Sequence, residues 1–310
     1  MNRLKGCLAG LLAVAAIFVS DAAAADTVQQ TITVNGIKRK FLLHVPANLK
    51  PTGRLPLVIA LHGGHGTPQF MERETKFSEL ADREGFIVAY PAAYGDNWND
   101  GRVILSSDAY KEKVDDVAAI AAIIDDISQK YPVDPKRIYA AGISNGAIMT
   151  NYLGARLSDR LAAIASVAGN ISDQVAGQFN PKTPLSVLLI HGTADPIVPY
   201  DGGKVYGGKS GSTVGTSETV QLWSRTDRVK AAPAASGSLP DVDRKDGCTA
   251  TWQSWDGPGN TEVRLIVLKG GGHTWPDGKQ YLPRFLIGNV CRDFSGTQVI
   301  WDFFKAHPKP

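Results

Sequence analysis

The pattern of hydrophobic and polar positions changes once near the start of the chain. Residues 27 to 45 alternate apolar and polar side chains around Asn35-Gly36, and an Asn-Gly pair between two such runs favours a β-hairpin. Farther on, continuous apolar runs occupy residues 55 to 61 and 86 to 90. Such runs are typical of strands buried on both faces. The pattern therefore predicts an antiparallel hairpin followed by a parallel sheet.

Helical periodicity separates the apolar runs. Residues 71 to 84 and 115 to 131 have the spacing of amphipathic helices, and Gly85 is a C-terminal stop signal for the first. Further strands are predicted at 137 to 141, 161 to 168, 185 to 190 and 262 to 268, and further helices at 145 to 156, 217 to 229 and 296 to 306. This alternation predicts an α/β fold whose mostly parallel sheet is covered on both faces.

The N-terminus has the features of a secretory signal peptide. Arg3 and Lys5 precede an apolar run at 7 to 20, and small residues fill 22 to 25. The run is shorter than the ~20 residues that a membrane-spanning helix needs, which disfavours the alternative of an anchor. We therefore expect residues 1 to 25 to be a signal peptide and the protein to be secreted or periplasmic, with no stable membrane insertion after cleavage.

The rest of the chain is expected to form one domain. Neither an internal repeat nor a long Pro/Ser/Thr-rich linker is visible, so we expect a single catalytic domain at 26 to 310. The segments 201 to 217 and 231 to 245 are rich in small and polar residues and are expected to form loops or a small cap. Cys7 precedes the apolar run instead of following it, so we do not expect lipidation.

Composition narrows the possible partners and the redox state. Apolar residues make up 43% and charged residues 20% of the chain, an ordinary globular mixture. A formal net charge of +3 without a basic run gives no indication of nucleic-acid binding. In an oxidising compartment Cys248 and Cys291 would pair and close a loop that contains His273. The alternative is two separate buried thiols.

The central candidate for chemistry is Gly142-Ile143-Ser144-Asn145-Gly146. A G-x-S-x-G sequence is weak evidence alone, but here an apolar strand precedes it and a helix-compatible run follows. That setting is the one a nucleophile elbow requires, with the serine on a sharp turn at the strand end. Ser144 is therefore the predicted nucleophile, and the small Gly142 and Gly146 allow the turn.

A serine hydroxyl needs a base, and the base needs an orienting acid. His273 and Asp195 each follow a predicted strand, and the order Ser144, Asp195, His273 is the order in α/β-hydrolases. Asp201 and Asp241 also lie between the serine and the histidine, and Asp201 remains the main alternative acid. The sequence thus predicts an α/β-hydrolase fold with a serine triad.

Acyl transfer also needs donors for the developing oxyanion. One is the Asn145 N–H. The second is expected from the loop His62-Gly63-Gly64-His65-Gly66, with the Gly64 N–H favoured and Gly63 and His65 as alternatives. Trp98 and Trp275, with Tyr94, are expected on the same rim and are candidates for the substrate pocket. Ordinary core packing is the alternative for these rings.

The other histidines suggest no different chemistry. His62 and His191 each end a predicted strand before a glycine, which indicates a structural role bonded to the backbone. His62 and His65 have the spacing of two metal ligands, but a third ligand is not evident. There is no P-loop, and no G-x-G-x-x-G follows a first strand. We therefore expect no metal and no cofactor.

A set of short motifs lies along residues 30 to 305. They are Leu61-His62-Gly63-Gly64, Asn97-Trp98-Asn99-Asp100, Val114-Asp115-Asp116-Val117, Tyr131-Pro132-Val133-Asp134-Pro135, Gly142-Ile143-Ser144-Asn145-Gly146, His191-Gly192-Thr193-Ala194-Asp195, Gly271-Gly272-His273-Thr274-Trp275-Pro276 and Ile300-Trp301-Asp302-Phe303-Phe304. With them the chain resembles the polyhydroxybutyrate depolymerase and feruloyl/acetylxylan esterase-like group of exported α/β-hydrolases.

That resemblance implies a serine carboxylic-ester hydrolase that forms an acyl-enzyme. It places the family's nucleophile, acid and base on Ser144, Asp195 and His273, and it leaves Asp115 and Asp116 as structural residues of a helix. The resemblance does not fix the substrate. We expect hydroxyalkanoate esters of the polyhydroxybutyrate type, with feruloyl or acetylxylan esters of plant cell-wall polysaccharide as the alternative. A serine peptidase and a non-catalytic binding module are the alternatives of another class.

Overall fold

The computed structural model describes residues 27–47, 53–229 and 232–310. The expected signal peptide and its cleavage site lie outside these residues. Strands β1 (Thr27–Val34) and β2 (Ile37–His44) pair antiparallel along their whole length. The turn between them places Asn35 at φ 51° and Gly36 at φ 78°, which are the left-handed values of a tight two-residue hairpin. The predicted hairpin is confirmed.

The larger strands and helices then alternate along the chain. In order, they are β3 (Leu55–Leu61), α1 (Pro68–Thr75), α2 (Phe77–Glu84), β4 (Ile87–Pro91), α3 (Asp108–Lys111), α4 (Asp116–Lys130), β5 (Val133–Ile143), α5 (Asn145–Leu157), β6 (Ala163–Val167), α6 (Asp173–Ala176), β7 (Ser186–Gly192), β8 (Gly203–Lys204), β9 (Ser212–Thr213), α7 (Thr216–Thr226), β10 (Ala235–Ser238), β11 (Thr249–Asp256), β12 (Glu262–Lys269), α8 (Arg284–Ile287) and α9 (Gly296–Ala306).

Ten of the strands form one mixed sheet in the order β1-β2-β4-β3-β5-β6-β7-β12-β11-β10. The six central strands, from β4 to β12, are parallel to one another. The hairpin is antiparallel to them at one edge, and β11 and β10 are antiparallel at the other. The predicted architecture, a mostly parallel sheet with an antiparallel N-terminal hairpin, is confirmed.

Helices bury an apolar layer on each face of the sheet. On one face, α1, α2 and α9 contribute Met71, Phe77 and Phe304, and the Phe304 ring stacks on Tyr139 with 4.6 Å between centroids. On the other face, α4, α5 and α7 contribute a layer that includes Ile124 and Trp223. Each such side chain, fully buried, contributes about 1.5–3 kcal/mol, so both layers hold the central strands and their carboxyl ends in place.

The helix predicted over residues 71 to 84 is two helices. Thr67 accepts a hydrogen bond from Phe70 N–H and begins α1 three residues earlier than expected. Lys76 then adopts φ 53° between α1 and α2, a left-handed value that interrupts a right-handed helix. A continuous amphipathic pattern does not show such a break, because the apolar residues of both helices face the same core.

The second half of the chain contains strands that the pattern did not predict. Strand β11 was missed, and β10 lies in the segment expected to be loop or cap. Every residue of β10 is exposed and its sequence is Ala-Ser-Gly-Ser, so no apolar alternation marks it. Backbone pairing with β11 defines this edge strand. The other expected loop contains the two-stranded β8–β9 ribbon.

Cys248 and Cys291 form a disulfide with 5.3 Å between their Cα atoms, as predicted. The bridge joins the start of β11 to the segment after α8, and a Cβ atom on Gly271 would lie 3.4 Å from Cys248 Sγ. The disulfide therefore packs against the loop that leads to His273. Among the described residues, no helix has the length and apolar character needed to cross a membrane.

Candidate active site

Ser144 occupies a sharp turn between the end of β5 and the start of α5. Its backbone has φ 60° and ψ −125°, a strained conformation for a residue with a Cβ atom. The turn is possible because Gly142 and Gly146 face each other: a Cβ atom on Gly142 would lie 2.3 Å from Gly146 O. Ser144 N–H donates to Val167 O at 3.0 Å, which fixes the turn to β6. This is the strand–turn–helix geometry of a nucleophile elbow.

His273 and Asp195 are brought together by two neighbouring strands. Asp195 follows β7, His273 follows β12, and these strands are parallel neighbours. His273 Nδ1 lies 2.8 Å from Asp195 Oδ2, and both side chains are buried. The alternative acids Asp201 and Asp241 are exposed. The imidazole is therefore paired with Asp195, and its second nitrogen is free of that contact.

The surroundings of Asp195 favour its ionised form. Burial by itself would raise the pKa of this carboxyl group, but the charge of His273 and hydrogen bonds from His191 and His273 outweigh it and hold the pKa well below its usual value. The other oxygen, Oδ1, accepts from the N–H groups of Ile197 and Val198 at 2.8 and 2.9 Å. The carboxylate can therefore orient and stabilise a positively charged imidazole.

Ser144 and His273 both line a cavity of about 340 Å³ at the carboxyl ends of the parallel strands. No hydrogen bond joins their side chains within the residues described, and in unliganded enzymes this contact is often long. The rest of the wall is mainly apolar and aromatic. It includes Phe70, Ile197, Val205, Tyr206, Tyr281, Leu282 and Ile287. The arrangement gives Ser144 and His273 a common, largely apolar space.

The predicted oxyanion donors border the same cavity. Asn145 is the first residue of α5, and Gly64 lies beside it, since a Cβ atom on Gly64 would be 3.8 Å from Asn145 Cβ. Across the described ranges, the N–H groups of Gly63, Gly64 and Asn145 have no protein acceptor. His65 N–H, in contrast, donates to Asp96 O at 2.7 Å and is already used.

The sequence did not reveal the hydrogen bonds that fix the side chain of Asn145. Its side chain accepts from Trp98 N–H at 2.8 Å and donates to Asp100 Oδ2 at 2.6 Å. Asp100 is in turn held by the Arg102 guanidinium through Nε and Nη2, and Arg102 Nη1 donates to Ser210 O. This buried network connects the start of α5 to the β8–β9 segment. The Asn97-Trp98-Asn99-Asp100 motif was the only signal for it.

The rim positions predicted for Trp98 and Trp275 are wrong. Trp98 is fully buried and its indole N–H donates to His62 O at 2.8 Å. Trp275 is buried in the layer beneath the cavity and donates to Thr297 Oγ1. Neither belongs to the cavity wall. Both residues come after the end of a strand, but their large apolar rings are removed from water more completely in the core than on the rim.

Comparison with known proteins identifies the family of this chain. The family model described as "Esterase PHB depolymerase" matches residues 40–198, slightly more than half of the chain. The chain belongs to this esterase family. It is 31% identical over 297 residues to NocK of Nocardia uniformis subsp. tsuyamanensis, a protein named as an esterase, and the match covers 90% of this chain and 83% of NocK.

One further relative and one solved structure are similar to this chain. Feruloyl esterase B of Piromyces equi is 30% identical over 249 residues, which cover 78% of this chain but only 44% of that protein. The acetyl xylan esterase of Aspergillus awamori has the same fold, with a TM-score of 0.59 and 17% identity over 90% of this chain and 99% of its own. The predicted α/β-hydrolase fold and carboxylic-ester hydrolase family are therefore confirmed.

Among the residues that the structure describes, two groups have the residue types of metal ligands. Asp246 and Asp293 lie near Cys291, but that sulfur is in the disulfide and the carboxylates accept from backbone N–H groups. His62 Nδ1 is bonded to Gly63 O and its Nε2 accepts from Ala93 N–H, as expected for a structural histidine. Both groups therefore use their ligand atoms to fix loops.

A groove larger than the cavity that Ser144 and His273 line lies elsewhere in the described part of this esterase. It measures about 630 Å³ and runs between α7 and strands β11 and β12, with Trp255 and Tyr200 in its wall. None of the three candidate triad residues borders it. Size alone therefore does not locate the candidate chemistry, which depends on the paired imidazole and carboxylate.

Proposed function

We propose that this chain is a serine carboxylic-ester hydrolase in which Ser144 is the nucleophile, His273 the general base and Asp195 the supporting acid. The observation that carries the proposal is the 2.8 Å pairing of His273 Nδ1 with ionised Asp195, beside a cavity that Ser144 shares with His273. Membership of the esterase family supports the same reaction class.

The proposed reaction has two halves. Ser144 Oγ attacks the ester carbonyl carbon while His273 Nε2 takes the serine proton, and Asp195 stabilises the resulting imidazolium. Collapse of the tetrahedral intermediate breaks the bond to the alcohol, which leaves with that proton. Water then attacks the acyl-enzyme, His273 takes its proton, and Ser144 recovers a proton as the acid departs.

The oxyanion donors in this proposal are the N–H groups of Gly64 and Asn145. Support comes from their position beside Ser144 and from their lack of a protein acceptor in the residues that the structure describes. Donors fixed in advance by the fold stabilise developing charge without reorganisation, and one such donor is typically worth about 2.7–4 kcal/mol. Gly63 is the alternative to Gly64.

For the substrate, we propose hydroxyalkanoate esters of the polyhydroxybutyrate type. The mainly apolar wall suits short aliphatic acyl units, and the family's name includes such depolymerases. Feruloyl or acetylxylan esters of plant cell-wall polysaccharide are the second candidate, favoured by the relatives of those names. We further infer export by cleavage of residues 1 to 25. The disulfide supports export. We also propose that residues 26 to 310 form one domain, because a single sheet joins strands from Thr27 to Lys269.

The direct test compares residues 26–310 with the Ser144→Ala variant on a 3-hydroxybutyrate trimer and on methyl ferulate. We expect Ser144→Ala to lower kcat by about 10⁴-fold or more, while Ser217→Ala, an exposed serine on α7, has no effect. Labelling of Ser144 by an organophosphonate, followed by mass spectrometry, gives a second readout.

Each outcome is decisive for one part of the proposal. Full esterase activity in Ser144→Ala would refute the nucleophile. Preference for the trimer supports hydroxyalkanoate hydrolysis, whereas preference for the ferulate transfers the proposal to plant cell-wall esters. Hydrolysis of peptide amides at comparable rates would indicate a peptidase, and a folded protein that neither reacts nor labels would indicate a binding module.

A further inference from the structure

A second buried histidine contacts the candidate acid. His191 lies near the end of β7, four residues before Asp195, and is only 2% exposed. Its Nε2 is 3.3 Å from Asp195 Oδ2, the same oxygen that lies 2.8 Å from His273 Nδ1. One carboxylate oxygen therefore lies between two imidazoles, although only His273 borders the cavity.

The neighbours of His191 determine where its proton lies. Nε2 is also 3.0 Å from Val198 O, which can only accept, so Nε2 carries the hydrogen and donates it to Val198 O, with Asp195 Oδ2 3.3 Å from the same nitrogen. Nδ1 lies 3.0 Å from the Thr216 hydroxyl, whose single hydrogen can be donated to Nδ1 or to Tyr200 O at 2.9 Å. Asn170 Oδ1 lies 3.3 Å from His191 Nδ1, and Asn170 Nδ2 lacks a partner in the described part of the chain. If the Asn170 amide is rotated by half a turn, Nδ2 takes the place of Oδ1 and can also donate to His191 Nδ1.

The contacts of Asp195 leave it no alternative orientation. Oδ1 accepts from two backbone N–H groups, those of Ile197 and Val198, and Oδ2 is bracketed by His191 and His273. The charged or titratable groups that contact the carboxylate are these two imidazoles. If the His191 contact were lost, Oδ2 would be positioned by His273 alone and could follow the imidazole out of line.

We propose that His191 is a positioning residue of the triad, whose Nε2–H holds Asp195 Oδ2 in line with His273 Nδ1. The inference rests on the proposed function of Asp195 and His273. It adds to the backbone-bonded structural role expected from the sequence, which the hydrogen bond to Val198 O confirms, because the same nitrogen also contacts the carboxylate. Fixing of a catalytic group by a neighbour's hydrogen bond is a general way to maintain its geometry.

Two amide substitutions of His191 distinguish the role of Nε2 from that of Nδ1. The amide of His191→Gln reaches the position of Nε2 and can donate to Asp195 Oδ2, whereas the amide of His191→Asn reaches only the position of Nδ1. We expect His191→Asn to lower kcat about tenfold to a hundredfold with an unchanged KM, and His191→Gln to stay within about threefold of the wild type. The far-downfield proton resonance of His273 Nδ1–H should shift in the Asn variant and persist in the Gln variant.

Equal loss of kcat in both variants, or an unchanged kcat and resonance in His191→Asn, would overturn the proposal. If His191→Asn does not fold, Thr216→Val replaces it: the loss of the donor to Nδ1 should lower kcat and shift the resonance, and no change in either would also overturn it. The Ser144→Ala variant separates the two proposals. Activity in Ser144→Ala refutes the nucleophile, whereas an inactive Ser144→Ala beside an unaffected His191→Asn refutes only the role of His191.

Discussion

Gly146 packs directly against the carboxyl end of the strand that contains Leu61. A Cβ atom on Gly146 would lie 2.3 Å from Leu61 O and 2.4 Å from His62 O. The start of α5 and the loop with Gly63 and Gly64 therefore approach each other through a position where only hydrogen fits. This contact places the elbow of Ser144 next to the proposed oxyanion loop.

Substitution of Gly146 by alanine should force that contact apart. We expect Gly146→Ala to lower the free energy of unfolding by about 1–3 kcal/mol, the usual effect of overpacking, or to prevent folding. Gly177→Ala is the control, because a Cβ atom there has only ordinary contacts at 3.7 and 3.8 Å. It should change stability by no more than about 0.5 kcal/mol in urea unfolding. Equal stability of both variants would contradict this account.

Gly64 provides a test of oxyanion geometry. A Cβ atom on Gly64 would lie 2.6 Å from Asn97 Oδ1, so Gly64→Ala should displace the loop and lower kcat by about 10²–10³. Removing the clashing amide with Asn97→Ala should recover part of the activity in the double variant. Steady-state kinetics with the preferred ester measure this; a double variant no better than Gly64→Ala would exclude the steric explanation.

The disulfide should support both stability and the His273 loop. Cys248 and Cys291 are separated by 43 positions, for which chain entropy predicts a loss of about 3–4 kcal/mol when the bridge is removed. We expect Cys248→Ser with Cys291→Ser to unfold at lower urea concentration. Because Gly271 packs on the Cys248 sulfur, kcat should also fall. Unaltered stability after full reduction would argue against this role.

Asp227 predicts an unusual pH dependence. Burial raises its pKa to about 7, against one hydrogen bond from Leu185 N–H, and it lies at the C-terminus of α7, where the helix dipole opposes negative charge. The folded state thus holds the proton more tightly than the unfolded state. Stability from this group is complete below pH ~4 and is lost as pH rises through about 7.

The Asp227→Asn variant should remove that dependence. Relative to the wild type it should gain stability above pH 7, with an upper bound of about 4 kcal/mol set by the pKa difference, and lose the advantage below pH 4. Urea unfolding at a series of pH values measures the two curves. Parallel curves for the two proteins would show that Asp227 does not titrate in this range.

A buried ion pair should matter far more than an exposed one. Arg39 and Asp116 pair in the interior, and Asp116 also accepts from Asn99 N–H at 2.7 Å. Asp116→Asn leaves Arg39 without a counter-charge and should lower the free energy of unfolding by about 3–5 kcal/mol. The surface pair of Asp126 with Lys130 is the control: Asp126→Asn should have an effect of about 0.5 kcal/mol or less. Similar losses would contradict the distinction.

Much of the fold follows from local patterns. The hairpin at Asn35-Gly36, the buried strands β3 and β4 and the helix that begins at Asp116 were predictable, because turn chemistry, apolar runs and helical periodicity act over short distances. The candidate Ser144, Asp195 and His273 were also predictable, since each follows a strand whose carboxyl end faces the same edge of a parallel sheet.

Other features depended on tertiary contacts. The break at Lys76 and the edge strand β10 have no marked pattern, because packing on a common core defines the first and pairing with β11 defines the second. Trp98 and Trp275 have the residue type of a binding wall, but the fold buries both. A residue's type indicates what it can contact, whereas its depth depends on elements distant in sequence.

The sequence by itself determined the order of the central strands β3 to β7 and β12, most of the helices between them, and the residue types at their ends. Only the tertiary structure decided that Asp195, and neither Asp201 nor Asp241, meets His273, and that His191 contacts the same carboxylate oxygen. The physical reason for the first contact is that Asp195 follows β7 and His273 follows β12, so their distance is set by the spacing and register of two strands, which no local pattern specifies. The second contact depends on the turn after β7, which brings Asp195 back beside His191.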